Sequence, residues 1–144
     1  MTAAPEPRRI PLSLKLAALC FALFALAVVF NSVTQFGAGW LVFHHRWWMT
    51  RQIAREAFRV VGAGAVAWGL FRGARWAWVL GLILGSFWLV GDLLTVIVFE
   101  RHDLEWLAPS GFQMFLFAAL GCLGAAIVLL LSPSARVAVR PPHV

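Results

Sequence analysis

Apolar residues along this chain come in four long stretches, Leu16 to Phe43, Ile53 to Phe71, Trp76 to Phe99 and Gly111 to Leu131, divided by short arginine-bearing segments. Inside a bilayer every backbone N–H and C=O must be satisfied within its own segment, so stretches this long and this poor in charge predict membrane-crossing helices. The pattern predicts an all-α integral membrane protein: a four-transmembrane-helix bundle in a single membrane domain covering residues 1–144, with helices at about 14–43, 53–71, 75–99 and 110–132.

The stretches differ in character. The first runs uncharged for 28 residues, roughly 42 Å as a helix against roughly 30 Å of hydrocarbon, so that helix is expected to tilt or protrude. Arg8, Arg9 and Lys15 precede it, and Ala25 and Ala27 are spaced like a leader-cleavage site. The run is far longer than a signal-peptide core, however, and predicts a retained anchor. The third stretch is interrupted by Asp92 alone, and the fourth opens after Pro109 and Ser110 and closes at Ser132 and Pro133. The second is the weakest, because Arg55, Glu56 and Arg59 fall in its first two turns and leave only Val60 to Phe71 uncharged. It reads as a short span or a re-entrant segment. Arg51, Arg55 and Arg59 form an i, i+4 stripe with Trp47, Ala54, Ala57 and Phe58 toward other faces. That predicts an interfacial amphipathic helix between the first and second spans. A voltage sensor is disfavoured, since no acidic partners are evident along an opposing helix.

Composition agrees with the membrane reading. The chain is 62 % hydrophobic and 12 % charged, where soluble domains carry about 25 % charged residues. Its net charge of +6 sits near predicted helix ends, where anionic lipid headgroups account for it without nucleic acid. With four spans, Arg8, Arg9, Lys15, Arg72, Arg75, Arg136 and Arg140 share one side, and Arg46, Arg51, Arg55, Arg59 and Arg101 the other. The excess places both termini in the cytoplasm. The tryptophans fall into matching belts, Trp40, Trp47, Trp48 and Trp106 outside and Trp68, Trp76 and Trp78 inside. On the outer side, Arg46, Arg51 and Arg55 are expected near Glu100, Asp103 and Glu105. Composition and arginine-rich ends look like those of small four-helix bacterial membrane proteins, which predicts a bacterial inner membrane.

Small residues recur every four positions, at Ala65, Gly69 and Gly73, at Ala77, Gly81 and Gly85, and at Ala118, Cys122 and Ala126. Such stripes let helix backbones approach closely in lipid. They predict either the packing of one compact bundle or an interface in a homo-oligomer or larger membrane complex. Cys20 and Cys122 are expected at different depths, which argues against a disulfide.

Asp92 is the leading candidate for chemistry, because an ionisable group well inside an apolar helix needs a partner, a cavity or water. It lies 16 residues past Trp76, and Asn31 lies 15 residues past Leu16 on a co-oriented helix. Both therefore stand roughly 22 to 24 Å along their helices. Thr34, Gln35 and Thr95 complete a predicted polar cluster, with Gln113 in the same half of the bundle. It serves either as an interhelical hydrogen-bond clamp or as a proton, ion or solute site. His44, His45 and His102 are weak metal candidates with Asp103 and Glu105 nearby in sequence, since adjacent histidines diverge by about 100° on a helix. No cofactor is predicted, and no nucleophile with a base, phosphate loop or paired thiols is present. Three functions are consistent with this chain. The first is a noncatalytic membrane subunit or interaction protein; the second is a small channel or transporter using Asp92 with Asn31 and Gln35; the third is a membrane enzyme or cofactor carrier using the external histidines.

Overall fold

The computed structural model describes the backbone of residues 10–37, 46–101 and 110–139, and side chains at 10–34, 50–98 and 112–139. Among these residues the chain is all-helical, with α1 at Leu12–Gly37, α2 at Arg46–Phe71, α3 at Arg75–Arg101, α4 at Ser110–Leu131 and α5 at Pro133–Val139. Pro11 sets the start of α1, its carbonyl accepting from the N–H groups of Leu14 and Lys15 at 3.1 and 3.4 Å. The first helix begins at Leu12, two residues before its expected start near residue 14; the stretch 38–43 that was expected to continue it lies outside the described residues.

α2 corrects the sequence reading most. It runs 26 residues without a break, so the expected interfacial helix and the second span are one helix beginning at Arg46. The cause is local: between Arg46 and Val61 there is no Gly or Pro, and Arg, Gln, Ala, Glu and Met are strong helix formers whatever their charge.

A left-handed residue ends α2. Gly73 adopts φ 68°, the Ala74 N–H donates to Gly69 O at 2.9 Å and the Gly73 N–H to Leu70 O at 3.0 Å. These are the two bonds of a Schellman terminus. A residue with a side chain would occupy that conformation at a cost of roughly 1–2 kcal/mol. The tight turn folds α3 back against α2, and this end of the molecule is called the turn end below. The fourth helix ends at Leu131, where Ser132 and Pro133 were expected to close it, and a further short helix that the sequence reading did not include follows at once. Ser132 Oγ accepts from the Ala135 N–H at 3.4 Å and donates to Leu129 O at 2.6 Å, while Pro133 takes the first position of α5, where a missing N–H costs nothing. The Ser13 and Ser134 hydroxyls, 2.9 Å apart, join α5 to the start of α1.

The four long helices pack in a ring, α1 on α2, α2 on α3, α3 on α4 and α4 on α1. A Cβ at Gly81 would meet Val66, Phe21 and Leu130, and one at Gly85 would meet Phe21 and Ile127. Phe24 stacks on Trp88. Read with the numbering, these contacts make α1 and α3 run one way and α2 and α4 the other. One core cluster threads the ring, with Phe21, Phe24, Val66, Leu70, Trp88, Leu123 and Leu130 buried.

The closest backbone approach is at Gly69, where a Cβ would stand 2.4 Å from the Ala77 Cβ and 2.8 Å from the Trp76 ring. Gly69, Gly81 and Gly85 thus face neighbouring helices, while Gly73 belongs to the turn. On α4 the buried seam is Phe115, Leu116, Ala119, Leu123, Ala126 and Leu130; Ala118 lies exposed and Cys122 half-buried beside it. Cys20 and Cys122 are free. Because α1 starts at Leu12, they stand eight and nine residues from the turn end of their helices, close enough to act on each other electrostatically. Their expected difference in depth does not hold.

The outward faces are as apolar as the core, with Phe30, Ile83, Phe87, Met114, Phe117 and Val128 largely exposed. Three helical segments are long and apolar enough to cross a membrane: Leu12–Thr34, Arg75–Val98 and Phe112–Leu131. At the turn end Trp68 and Trp76 are exposed, Arg72 lies over the Trp68 ring at 4.3 Å, and Trp78 Nε1 donates to Leu130 O at 2.9 Å. The other predicted tryptophan belt lies outside the described side chains.

Candidate functional site

The core seam of α2, Ala63, Val66, Ala67 and Leu70, continues away from the turn through Arg59 and Glu56. At helical spacing these two residues face the bundle interior, although they are charged. On α3 the corresponding seam of Ala77, Gly81, Gly85 and Trp88 ends at Asp92. Glu56, Arg59, Asp92 and Asn31 of α1 are the buried polar residues of the described structure.

Arg59 Nη2 donates to Asp92 Oδ1 at 2.6 Å, with the two side chains 11 % and 4 % exposed. This is a charge-assisted bond, slightly shorter than is usual for such bonds. Arg59 lies 14 and Asp92 19 residues from Gly73, roughly 21 and 28 Å along antiparallel helices. The difference is bridged by side-chain direction. Cβ atoms tilt toward a helix N-terminus, so the long Arg59 side chain points away from the turn and Asp92 points toward it. One turn beyond Arg59, Glu56 Oε1 accepts from Gln52 Nε2 at 3.4 Å and from Arg55 Nε and Nη2 at 3.2 and 2.9 Å. Glu56 and Arg55 both lie within electrostatic range of Asp92. Each acid therefore uses one oxygen. The other, Glu56 Oε2 and Asp92 Oδ2, is buried and has no hydrogen-bond partner among the described residues.

An aromatic layer lies on the turn side of the pair. Trp88, one turn from Asp92, stacks on Phe24 with centroids 5.4 Å apart and meets Phe58 edge-on at 6.1 Å. Gly62 makes room for it: a Cβ there would come 3.0 Å from the Trp88 ring.

The predicted polar cluster is brought together only in part. Asp92 and Asn31 are both buried, but the partner of Asp92 is Arg59, which the sequence reading had placed at the membrane surface without an acidic partner. Thr34 Oγ1 donates to Asn31 O and Thr95 Oγ1 to Gly91 O, each at 2.9 Å. Both hydroxyls are thus occupied by their own helix backbones. The Gln35 side chain lies outside the described residues, and Gln113 is exposed. Of the arginine stripe, Arg51 and Arg55 are exposed and only Arg59 is buried. His44, His45 and His102 lie outside the described residues, as do Asp103, Glu105 and the Glu100 side chain. Among the described residues no three metal-ligating side chains converge.

The arrangement has the chemistry of a buried ion-pair site with spare carboxylate valence, able to hold a proton, a cation or water at two oxygens. No protein family, curated protein or solved structure matches this chain.

Proposed function

We propose that this is a four-span protein of a bacterial inner membrane, both termini cytoplasmic, whose Glu56, Arg59 and Asp92 cluster takes up a small cation, protons included, and passes it across the bilayer. The observation that carries this reading is the pair of buried carboxylate oxygens without partners, Glu56 Oε2 and Asp92 Oδ2. Ionisable groups inside a membrane are expensive, and they mark ion and proton pathways when they line a bundle interior. Two features support α2 as the fourth span. It packs against both α1 and α3, and Glu56 and Arg59 are buried against its neighbours instead of facing lipid. The orientation is supported by the turn end, where Lys15, Arg72, Arg75 and Arg136 are exposed and no acidic side chain is present among the described residues.

The test is ion flux into liposomes holding the purified chain, read by a pH-sensitive dye under an imposed gradient. Wild type should carry flux, and Asp92→Asn, with helicity intact, should abolish it. A wild type that moves no protons, sodium or potassium refutes the reading. Cysteine labelling in a background lacking Cys20 and Cys122 tests orientation, with residues 72–75 expected inside and residues 100–110 outside.

A second reading, a noncatalytic subunit packing against itself or another membrane protein, is favoured by the lipid-facing side of α4. Ala118, Gly121 and Ala125 are exposed there, and a Cβ at Gly121 would meet nothing within 4 Å. Such small residues suit close helix approach. Native mass spectrometry from detergent should then show a defined oligomer or partner; a monomer alone counts against it.

A further inference from the structure

The three helical segments long and apolar enough to cross a membrane each have one end at the turn end, at Leu12, Arg75 and Leu131. On the membrane reading this end is therefore a bilayer surface. Four basic side chains stand on it, Lys15 on α1, Arg72 and Arg75 at the α2–α3 turn and Arg136 on α5, all of them exposed. None of the four has an ion pair among the described residues. The carboxylates among the described side chains are those of Glu56 and Asp92, and both lie on the far side of the aromatic layer, each with its own arginine.

Arg72 is held in place at this surface. Its guanidinium lies over the Trp68 ring, 4.3 Å from the centroid. The ring covers one face of the guanidinium, while the in-plane N–H groups have no hydrogen-bond partner among the described residues. Trp76 arrives from α3 beside it, since a Cβ at Gly69 would stand 2.8 Å from the Trp76 ring. Trp68 and Trp76 are 59 % and 52 % exposed. The indole N–H of Trp78 is given to Leu130 O, whereas those of Trp68 and Trp76 have no partner among the described residues. Two turns from Trp68 on the same face of α2, Val61 is exposed. Along this face the surface therefore passes from cation through indole to hydrocarbon.

We propose that the α2–α3 turn binds an anionic phospholipid. Its phosphate accepts from Arg72, with Arg75 as the second charge; its ester region lies beside the indole N–H groups of Trp68 and Trp76, and an acyl chain follows the face of α2 that carries Val61. Indoles favour this boundary between headgroups and hydrocarbon, and basic clusters at the ends of spans attract anionic lipids. Charge selects the headgroup. A zwitterionic lipid carries an ammonium beyond its phosphate, which four unpaired cations repel and no described carboxylate at this end receives; a glycerol headgroup adds no such charge. A second copy of the chain suits this face less, because a two-fold axis along the membrane normal would set Arg72 against Arg72. The inference is independent of ion transport by the buried cluster and of which side of the membrane the turn end occupies.

Native mass spectrometry of the full chain in nonionic detergent, titrated with phosphatidylglycerol or with phosphatidylcholine of the same acyl chains, tests this. Wild type should bind phosphatidylglycerol more tightly by roughly one power of ten. One charge near a headgroup is worth roughly fivefold in binding, so Arg72→Gln/Arg75→Gln should weaken phosphatidylglycerol by roughly 25-fold. Arg51→Gln/Arg101→Gln removes two charges from the opposite end of α2 and α3 and should leave the preference in place. Equal binding of the two lipids by wild type overturns the proposal, and that comparison needs no variant to fold. A loss in the Arg51 and Arg101 variant as large as that in the Arg72 and Arg75 variant overturns the site. Glycerol phosphate bound as tightly as phosphatidylglycerol overturns the lipid, because the site would then take a free phosphate.

Discussion

Arg59→Met removes one partner of the ion pair and leaves Asp92 as an uncompensated charge in the core. The pair belongs to the buried regime, since its side chains are 11 % and 4 % exposed and the donor–acceptor distance is 2.6 Å. Exposed pairs contribute about 0–1 kcal/mol, whereas breaking a buried pair from one side costs about 3–5 kcal/mol because the surviving charge stays desolvated. Arg59→Met and Asp92→Leu should therefore each weaken folding by about 3–5 kcal/mol, which is roughly two to nearly four powers of ten in the folding equilibrium. The double variant should behave differently. With both charges gone, apolar side chains fill the space between α2 and α3, and replacing a buried pair in this way is commonly neutral or stabilising by about 1–4 kcal/mol. The assay is reversible unfolding in mixed micelles with rising SDS, followed by tryptophan fluorescence, with Trp88 one turn from Asp92 among the reporters. The double-mutant cycle isolates the coupling. Single variants within about 1 kcal/mol of wild type would refute the reasoning, because that is the size of a solvated surface pair.

Gly69→Ala should cost about 1–3 kcal/mol by overpacking, since the new Cβ would stand 2.4 Å from that of Ala77; Gly64→Ala, where nothing lies within 4 Å, should be neutral or slightly stabilising in the same unfolding assay. Gly73→Ala should cost about 1–2 kcal/mol through the left-handed backbone at φ 68°, and an unchanged midpoint would mean that the turn relaxes freely. Trp78→Phe deletes the hydrogen bond to Leu130 O and should lower stability by about 0.5–1.5 kcal/mol, read as a shift in the same midpoint.

Most of the fold could be read from the apolar stretches because, in a bilayer, length and lack of charge are the dominant constraints. α3 and α4 lie within a few residues of their expected bounds. The errors arose where charge was taken as a sign of the surface. Arg55, Glu56 and Arg59 made α2 look short, yet helix propensity carries it on to Arg46, and the face bearing Ala63, Val66 and Leu70 carries Arg59 and Glu56 inward with it. Asp92 was recognisable as a buried acid, but its partner was not, because Cα depths alone leave Arg59 about a turn and a half short of it. Only the opposed tilt of the two side chains, which follows from antiparallel helices, brings them together. α5 had a legible signal in Ser132 followed by Pro133, a capping residue and a favoured first position, which also serves as a stop for the helix before it.

On the reading proposed above, binding a cation and moving it across the bilayer would make different demands on this bundle. Binding needs carboxylate oxygens, and two without hydrogen-bond partners among the described residues, Glu56 Oε2 and Asp92 Oδ2, are buried here. Toward the turn end the interior is continuous hydrocarbon: Phe24 and Trp88 close the first layer, and Phe21, Val66, Leu123 and Leu130 fill the layers below. Along that half the titratable side chains near the core are the half-buried Cys20 and Cys122, which are weak donors in a proton relay. On that reading, passage would require water to enter past the aromatic layer. Trp88 is the side chain shared by both ring contacts. Its ring lies beside Gly62, where a Cβ would come within 3.0 Å of it. On the proposed reading, the buried carboxylates would hold the ligand and the aromatic layer beside the ion pair would determine whether it goes further.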